Sequence, residues 1–136
     1  MAKLRVEPFE NIGYPAILLN TDHEGLGIFL TAVSKAYESG EATFQFDKIT
    51  HQVLLQSGAA DIELGAQKVI WRFDADALSE IIEFVKSMIE NSRPSHQYID
   101  LNGPVEELVI SVDEYQHPLN YGEFSQLYPT DVTSEG

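Results

Sequence analysis

The chain has 136 residues, the length of one domain, and we expect a single domain over residues 1–136. It carries 22 acidic residues against 8 Lys and Arg, a formal net charge of −14. This charge argues against binding nucleic acid through its phosphates, which needs clustered Lys and Arg, and against docking on anionic lipid. Because the chain has no cysteine, disulfides, cysteine-ligated metals and a thiol nucleophile are excluded.

The N-terminal residues and the longest aliphatic run bear on localisation. Residues 1–8 include two basic residues, but no apolar segment follows them, so we expect no secretory signal. The longest purely aliphatic run is Ala16–Leu19, far shorter than the roughly 20 apolar residues that a membrane span needs. We expect a cytoplasmic protein with no membrane association.

The first half of the chain predicts a strand, a helix and two further strands. A strand over 16–20 leads to a candidate helix N-cap, Asp22, after which apolar residues recur at the spacing of one helical face. That face comprises Leu26, Phe29, Leu30, Val33, Ala36 and Tyr37. The helix is expected to end at residues 39–40, and strands follow over 43–47 and 52–56.

The second half repeats this order after a predicted connector at residues 61–65. A strand over 68–73, which places Trp71 in the core, precedes a helix that begins after Asp74. The apolar face of this helix comprises Leu78, Ile81, Ile82, Val85, Met88 and Ile89. The remaining predicted strands cover 96–101 and 107–112.

The two halves match at an offset of 52 residues. All six apolar positions of the first helix correspond to apolar positions of the second, and Asp22 corresponds to Asp74. We therefore predict a β-α-β-β unit used twice, with halves of about 14–57 and 66–115. Since each helix must lay its apolar face on a sheet, we predict an α+β fold. Its single mixed, mostly antiparallel sheet would have about six strands, with both helices on one face.

One face of this sheet is predicted to carry polar and aromatic side chains. If the apolar positions of strand 107–112 face the helices, then His96, Tyr98 and Asp100 point outward on the neighbouring strand. This outward set is either a solvated sheet face or a recognition surface, since Tyr and His combine a flat apolar body with a polar tip.

The acidic residues are unevenly distributed along the chain. Residues 1–93 hold all 8 Lys and Arg against 14 acids, a net charge of −6, whereas residues 94–136 hold 8 acids alone, a net charge of −8. Those acids are Asp100, Glu106, Glu107, Asp113, Glu114, Glu123, Asp131 and Glu135. Such a segment accelerates association with a basic partner, and it also favours solubility. We expect a basic protein partner.

No catalytic motif is found in the sequence. There is no phosphate-binding loop and no nucleophile elbow, and acids flank the glycines at the start of the first helix. Metal chemistry has one candidate cluster, suited to Zn, Mn or Fe, if the last two strands form a hairpin: His96, Asp100, Asp113, Glu114 and His117. The same residues are also typical of a polar loop. We expect no cofactor, no resident metal and no enzymatic activity.

The chain changes character in a C-terminal tail, residues 118–136. This tail has no clean periodicity, yet it contains Tyr121, Phe124, Leu127 and Tyr128. These side chains are expected to pack across the sheet or against a second subunit, so the tail is a candidate homodimer contact.

The segment Trp71–Phe73 lies ahead of the second helix, and the strands His96–Asp100 and Glu107–Tyr115 follow it. This arrangement, within residues 69–115, resembles bacterial immunity proteins of polymorphic toxin systems. The resemblance implies a non-enzymatic protein that neutralises a cognate toxin, often a basic nuclease, by binding it. It carries over no individual functional residue.

The sequence therefore leaves three functions open, in this order: a non-enzymatic acidic binding protein of the immunity type, a homo-oligomeric structural or accessory domain, and a metal-dependent enzyme. For the first, the predicted partner-binding residues are His96, Tyr98, Asp100, Glu106, Glu107, Asp113 and Glu114.

Overall fold

Residues 2–11, 13–91 and 93–114 are described by a computed structural model, and they form eight strands and two helices. In chain order the elements are β1 (Leu4–Asn11), β2 (Tyr14–Thr21), α1 (His23–Ser39), β3 (Glu41–Phe46), β4 (Ile49–Leu55), β5 (Ala60–Leu64), β6 (Lys68–Phe73), α2 (Ala75–Glu90), β7 (Ser95–Asp100) and β8 (Glu107–Val112). The predicted tail, with its four large apolar and aromatic residues, lies outside the described residues.

The strands form two four-stranded sheets, each built from one hairpin of each half. Sheet A has the order β1-β2-β8-β7, and sheet B has the order β3-β4-β6-β5. Strands within a hairpin are antiparallel, whereas the inner strands pair in parallel, β2 with β8 and β4 with β6. Each helix therefore leads the chain from one sheet to the other.

Exchanging the two halves of the chain converts one sheet into the other. If β1 to β4 are exchanged with β5 to β8, the order of sheet A becomes that of sheet B read from its opposite edge. Backbone hydrogen bonds agree with this equivalence. The N–H of Asp113 donates to the carbonyl of Thr21 at 2.8 Å, and the N–H of Gln56 donates to that of Phe73 at 2.8 Å.

The α+β class and all six predicted strands are confirmed, but the strands form two sheets where one was expected. The sequence prediction lacked β1 and β5, which are the outer strands of two hairpins. With them, each half contains two hairpins joined by a helix, and each hairpin pairs with one from the other half. The apolar faces of the two helices then serve both sheets. The mixed, mostly antiparallel character holds within each sheet.

The prediction of a connector at residues 61–65 is wrong, because these residues form most of β5. Its residues alternate as in a strand: Ile62 packs against the core, while Asp61 and Glu63 lie on the opposite face. A segment with two acids in five residues is typical of a polar loop. These acids are tolerated in the sheet because Arg72 of β6 binds both carboxylates.

Both helices begin at the predicted aspartates. The side chain of Asp22 accepts a hydrogen bond from Gly25 N at 2.7 Å, and that of Asp74 accepts one from Ala77 N at 2.9 Å. Gly40 ends α1 as predicted, with a φ of 97° in the left-handed region that favours glycine. Within the described residues, neither helix has the length and apolarity needed to cross a membrane.

One apolar core contains the inner faces of both helices and of both sheets. Trp71 of β6 is fully buried, and its ring centroid lies 5.0 Å from that of Phe29 on α1. Its predicted core position, in phase with Val69 and Phe73, is confirmed. On the predicted face of α1, Tyr37 is the exception, since it remains 45% exposed at the end of the helix.

The outer face of sheet A, which points away from the helices, is buried around β2 and the adjoining part of β8. A second hydrophobic cluster lies there, made of Phe9, Ala16, Leu18 and Val109. Asn20 on the same face is fully buried, and neither atom of its side-chain amide has a hydrogen-bond partner among the described residues. Its neighbours across the strands are Arg5 on β1 and Ser111 on β8.

The outer face of sheet B carries charged groups and is more open to solvent. The guanidinium of Arg72 donates to Glu63 at 2.6 Å and to Asp61 at 2.9 Å. These bonds, to Glu63 first, raise the pKa of Arg72. Arg72 on β6 thus pairs with both acids of the neighbouring strand β5.

Candidate functional site

The predicted partner-binding residues lie along the β7–β8 hairpin at one edge of sheet A. His96, Tyr98 and Asp100 alternate along β7 and are exposed on the outer face, as predicted. The facing positions on β8, Val109 and Ser111, are buried. The outward set predicted from the sequence is thus open to solvent only along β7.

Acidic residues meet at the tip of this hairpin. The register of β7 and β8 places Asp100 directly opposite Glu107, and Glu106 is exposed in the adjoining loop. The loop is closed by a hydrogen bond from Leu101 N to Glu106 O at 2.8 Å. The register therefore concentrates negative charge at this tip.

The other end of the hairpin is organised by Glu114. One oxygen of its carboxylate accepts a hydrogen bond from Ser111 Oγ at 2.5 Å, and the other bonds His96 Nδ1 at 2.9 Å. Glu114 thereby joins the end of β8 to the edge strand. Two of the predicted residues, His96 and Glu114, are therefore held together with a buried serine hydroxyl.

Asp113 is held by a histidine from the opposite end of the sequence. Asp113 Oδ2 lies 2.5 Å from Nδ1 of His23, and Nε2 of His23 lies 3.1 Å from the carbonyl of Asn91. Both ring nitrogens face acceptors, an arrangement that favours the imidazolium. The bond to Asn91 first, and that to Asp113 with it, raise the pKa of His23. Asp113 also has a left-handed backbone, with a φ of 61°.

Tyr98 lies midway between the two acidic ends. It is 47% exposed, and its ring packs edge-on against that of His96 with centroids 5.3 Å apart. His96 and Asp100 are four residues apart on one strand, which corresponds to about 14 Å. The edge of the sheet therefore presents an aromatic ring flanked by acids on both sides.

The group formed by Ser111, Glu114 and His96 does not activate the serine as a nucleophile. Ser111 is fully buried, and its hydroxyl donates to the carboxylate instead of to an imidazole. His96 contacts the other oxygen of the same carboxylate, so Glu114 separates the serine from the histidine. The arrangement can fix side chains at an edge, but it lacks the contact between a serine and its base that acyl transfer needs.

The candidate metal ligands are not brought together by the part of the chain that the structure describes. Asp113 faces His23, His96 bonds Glu114, and Asp100 lies at the far end of β7. Within residues 2–11, 13–91 and 93–114 no three His or carboxylate side chains are grouped to hold a metal. The remaining candidate, His117, lies outside the described residues.

Arg5 and Arg72 form ion pairs away from the β7–β8 hairpin. Arg72 binds Asp61 and Glu63 on sheet B, and Arg5 lies 4.0 Å from Asp47. Arg93 is exposed two residues ahead of β7, near the end of the hairpin that carries Glu114. Asp113 and Glu114 at this hairpin are paired with histidines.

One buried histidine has properties that sequence analysis did not find. His51 of β4 is stacked on Phe44, with ring centroids 4.6 Å apart, and its Nδ1 accepts a hydrogen bond from Trp71 Nε1. Burial lowers the pKa of His51 to about 4. The available signal was the alternation of Ile49, His51 and Val53, which places the histidine on the inner face of its strand.

Comparisons with known proteins yield little. No known protein family matches the chain, and no curated protein matches it. Among solved structures, it is similar to Suppressor of Fused from Drosophila, at 10% sequence identity and a TM-score of 0.49. The match covers 81% of this chain and 26% of that protein, so the chain corresponds to about a quarter of its length. A likeness this distant bears on neither function nor partners.

Proposed function

We propose that this chain is a non-enzymatic binding protein whose acidic edge, the exposed face of the β7–β8 hairpin, docks a basic protein partner. The observation that carries the proposal is the register that sets Asp100 opposite Glu107 beside the exposed Glu106. A Lys or Arg of a partner is attracted to this concentration of acids, and Tyr98 supplies a flat contact surface next to them.

The charge of the whole segment strengthens this docking. Residues 94–136 carry 8 acids and no Lys or Arg. A surface of one sign raises the association rate of an oppositely charged partner well above that of a neutral pair, and salt screens the effect. Association with the partner should therefore slow as ionic strength rises.

The resemblance of residues 69–115 to immunity proteins gives the partner a class. An immunity protein blocks a toxin by occupying its surface, and it needs neither a cofactor nor a nucleophile. Basic toxins such as nucleases complement an acidic edge. We therefore propose that the chain acts in the cytoplasm as a neutraliser of a basic toxin domain.

The test requires that a gene beside this one encode a secreted protein with a basic C-terminal domain, and it uses that domain as the partner. Its binding is measured by calorimetry over a series of salt concentrations, with the wild-type chain and the Asp100→Lys variant. The substitution places Lys opposite Glu107, a favourable cross-strand pair, so the fold is expected to keep or gain stability. Binding is expected to weaken about tenfold or more, because the variant repels the basic partner.

The matched control is Glu83→Lys, which makes the same charge change at an exposed position on α2. It is expected to weaken binding by less than about threefold, as for a charge outside the interface. Equal losses in the two variants would reduce the proposal to general charge attraction. Salt-independent binding, or a neighbouring gene with no such basic domain, would contradict the proposed partner.

A further inference from the structure

A cleft of about 360 Å³ separates β1 of sheet A from one end of sheet B. Five consecutive residues of β1, Leu4–Pro8, line one wall. Because successive side chains of a strand point to opposite faces, a cleft that touches all five runs along the free edge of that strand. The other wall is formed by Phe46, Asp47, Ile49, His51, Leu64, Gly65 and Val69.

His51 presents an unused hydrogen-bond donor to this cleft. The indole N–H of Trp71 can only donate, so His51 Nδ1, 3.2 Å away, accepts and carries no proton. The ring is neutral at neutral pH because burial lowers its pKa to about 4, and its one proton is therefore on Nε2. His51 is 2% exposed, and its side-chain hydrogen bond within the described residues is the one it accepts from Trp71.

Arg5 supplies a second, charged donor. Its Nε–H is buried and has no partner among the described residues. Its Nη1 lies 4.0 Å from Asp47 Oδ2, at the limit of an ion pair, and both residues line the cleft. Asp47 is exposed, so its carboxylate can move into solvent when another anion takes its place beside the guanidinium.

Apolar side chains make up much of the remaining lining. Val6, Phe46, Ile49 and Val69 lie on both walls. Sites for small molecules generally combine such walls with a few placed polar groups, and their volumes start at about 300 Å³. The cleft has this composition, and its size suits a compact molecule.

We infer that the cleft binds a small monocarboxylate with an apolar body, whose carboxylate accepts hydrogen bonds from His51 Nε2 and from the guanidinium of Arg5. A guanidinium binds a carboxylate through two parallel hydrogen bonds, which is a stronger arrangement than its loose contact with Asp47. A metal ion is disfavoured because the nitrogen of His51 that is not bonded to Trp71 carries a proton. This site is separate from the acidic edge and does not depend on it.

Trp71 is the only tryptophan of the chain and donates to His51, so its fluorescence reports on the site. We expect hexanoate, used as the probe, to change the emission of Trp71 saturably and to shift the backbone amide signals of Phe46 and Gly65. Methyl hexanoate has the same apolar body and a carbonyl oxygen but no charge. We expect it to bind about tenfold more weakly, because it loses the ionic contact to Arg5.

Two substitutions should move the affinity for hexanoate in opposite directions. Arg5→Met keeps an apolar side chain of similar length, and it should weaken binding about tenfold or more. Asp47→Asn removes the competing carboxylate, and it should strengthen binding about threefold. Asn tolerates the positive φ of 51° at this position, so the turn is kept. Arg93→Met, an exposed change outside the cleft, should leave binding unchanged.

The inference is overturned if hexanoate causes no saturable change in either Trp71 emission or the two amide signals. It is also overturned if Arg5→Met and Arg93→Met bind hexanoate alike while both unfold at the wild-type temperature. Equal affinity for hexanoate and its methyl ester would exclude a carboxylate as the ligand group. If Arg5→Met fails to fold, the effect of Asp47→Asn decides, because an unchanged affinity contradicts the role of Arg5.

Discussion

The two sheets share one strand order, but their outer faces differ. Leu18 on sheet A is fully buried in a second apolar cluster, whereas Ile70, 52 positions later on sheet B, is only half-buried. Asn20 is buried without a hydrogen-bond partner in the described residues, whereas Arg72 at the matching position binds two carboxylates. The shared backbone therefore leaves the character of each outer face to the side chains.

The two sheets also differ in how strongly they attract a basic partner. The acidic edge belongs to sheet A, where charge accumulates at the exposed strand β7 beside buried neighbours. On sheet B, Arg72 pairs with both acids of β5, so one cation offsets part of their charge. A sheet with such a cation attracts a basic partner less than the β7–β8 edge does, whose strands contain acids and no Lys or Arg.

The largest expected effect comes from truncating the two matching aliphatic residues. Leu18→Ala should lower the free energy of unfolding by about 2–5 kcal/mol, because it leaves a cavity in a closed cluster. Ile70→Ala should cost about 1–2 kcal/mol, since that side chain is already partly in water. Urea unfolding measures both values. Similar losses would mean that the two outer faces are equally buried in solution.

Two positions further along the same strands, on the same outer faces, lie Asn20 and Arg72. Replacing them should change the free energy of unfolding in opposite directions. Asn20→Leu, which keeps the branching of the side chain, should raise the free energy of unfolding by about 1 kcal/mol, because an unpartnered amide is removed from a buried site. Arg72→Leu should lower it, because the substitution leaves two carboxylates on the sheet without their cation. The midpoints of urea unfolding compare the two, and a loss for Asn20→Leu would show that the amide is hydrogen-bonded in solution.

The helix N-caps test what the two halves have in common. Asp22→Ala and Asp74→Ala each remove a side-chain acceptor for the first turn, so each should cost about 1 kcal/mol of unfolding free energy. Thermal or urea unfolding of the two variants should give values that agree within experimental error. A clear inequality would show that the local environments differ more than the shared backbone suggests.

The smallest expected effect is the pH dependence of stability that comes from His23, which has no histidine at the matching position of the second half. His23 begins α1, and the matching position in α2 is Ala75. Because the folded pKa of His23 is raised above 6.5, its contribution to stability is full below about pH 6.5 and is lost as pH rises through the folded pKa. The stability difference between wild type and His23→Gln should therefore shrink from about pH 5 to about pH 9. A difference that does not vary with pH would contradict the bonds to Asp113 and Asn91.

Much of the site could be read from strand alternation. The period of two along 96–101 and 107–112 placed His96, Tyr98 and Asp100 outward and the apolar residues inward, and this placement is confirmed. The contact between His23 and Asp113 could not be found in this way, because it joins residues 90 positions apart. The cleft was equally inaccessible, since β1 was not predicted and its opposite wall belongs to another sheet.

The sequence by itself determined the local structure: both helices, their aspartate caps, six of the strands and the inward face of each. These features depend on side-chain periodicity and on contacts between residues three or four positions apart. Both can be read from the order of residues along the chain. Only the tertiary structure decided that hairpins of opposite halves pair in parallel into two sheets, and that Asn20 and His51 are buried. The physical reason is that strand pairing and burial depend on which distant segments meet, and the free energy of that choice is shared among many side chains.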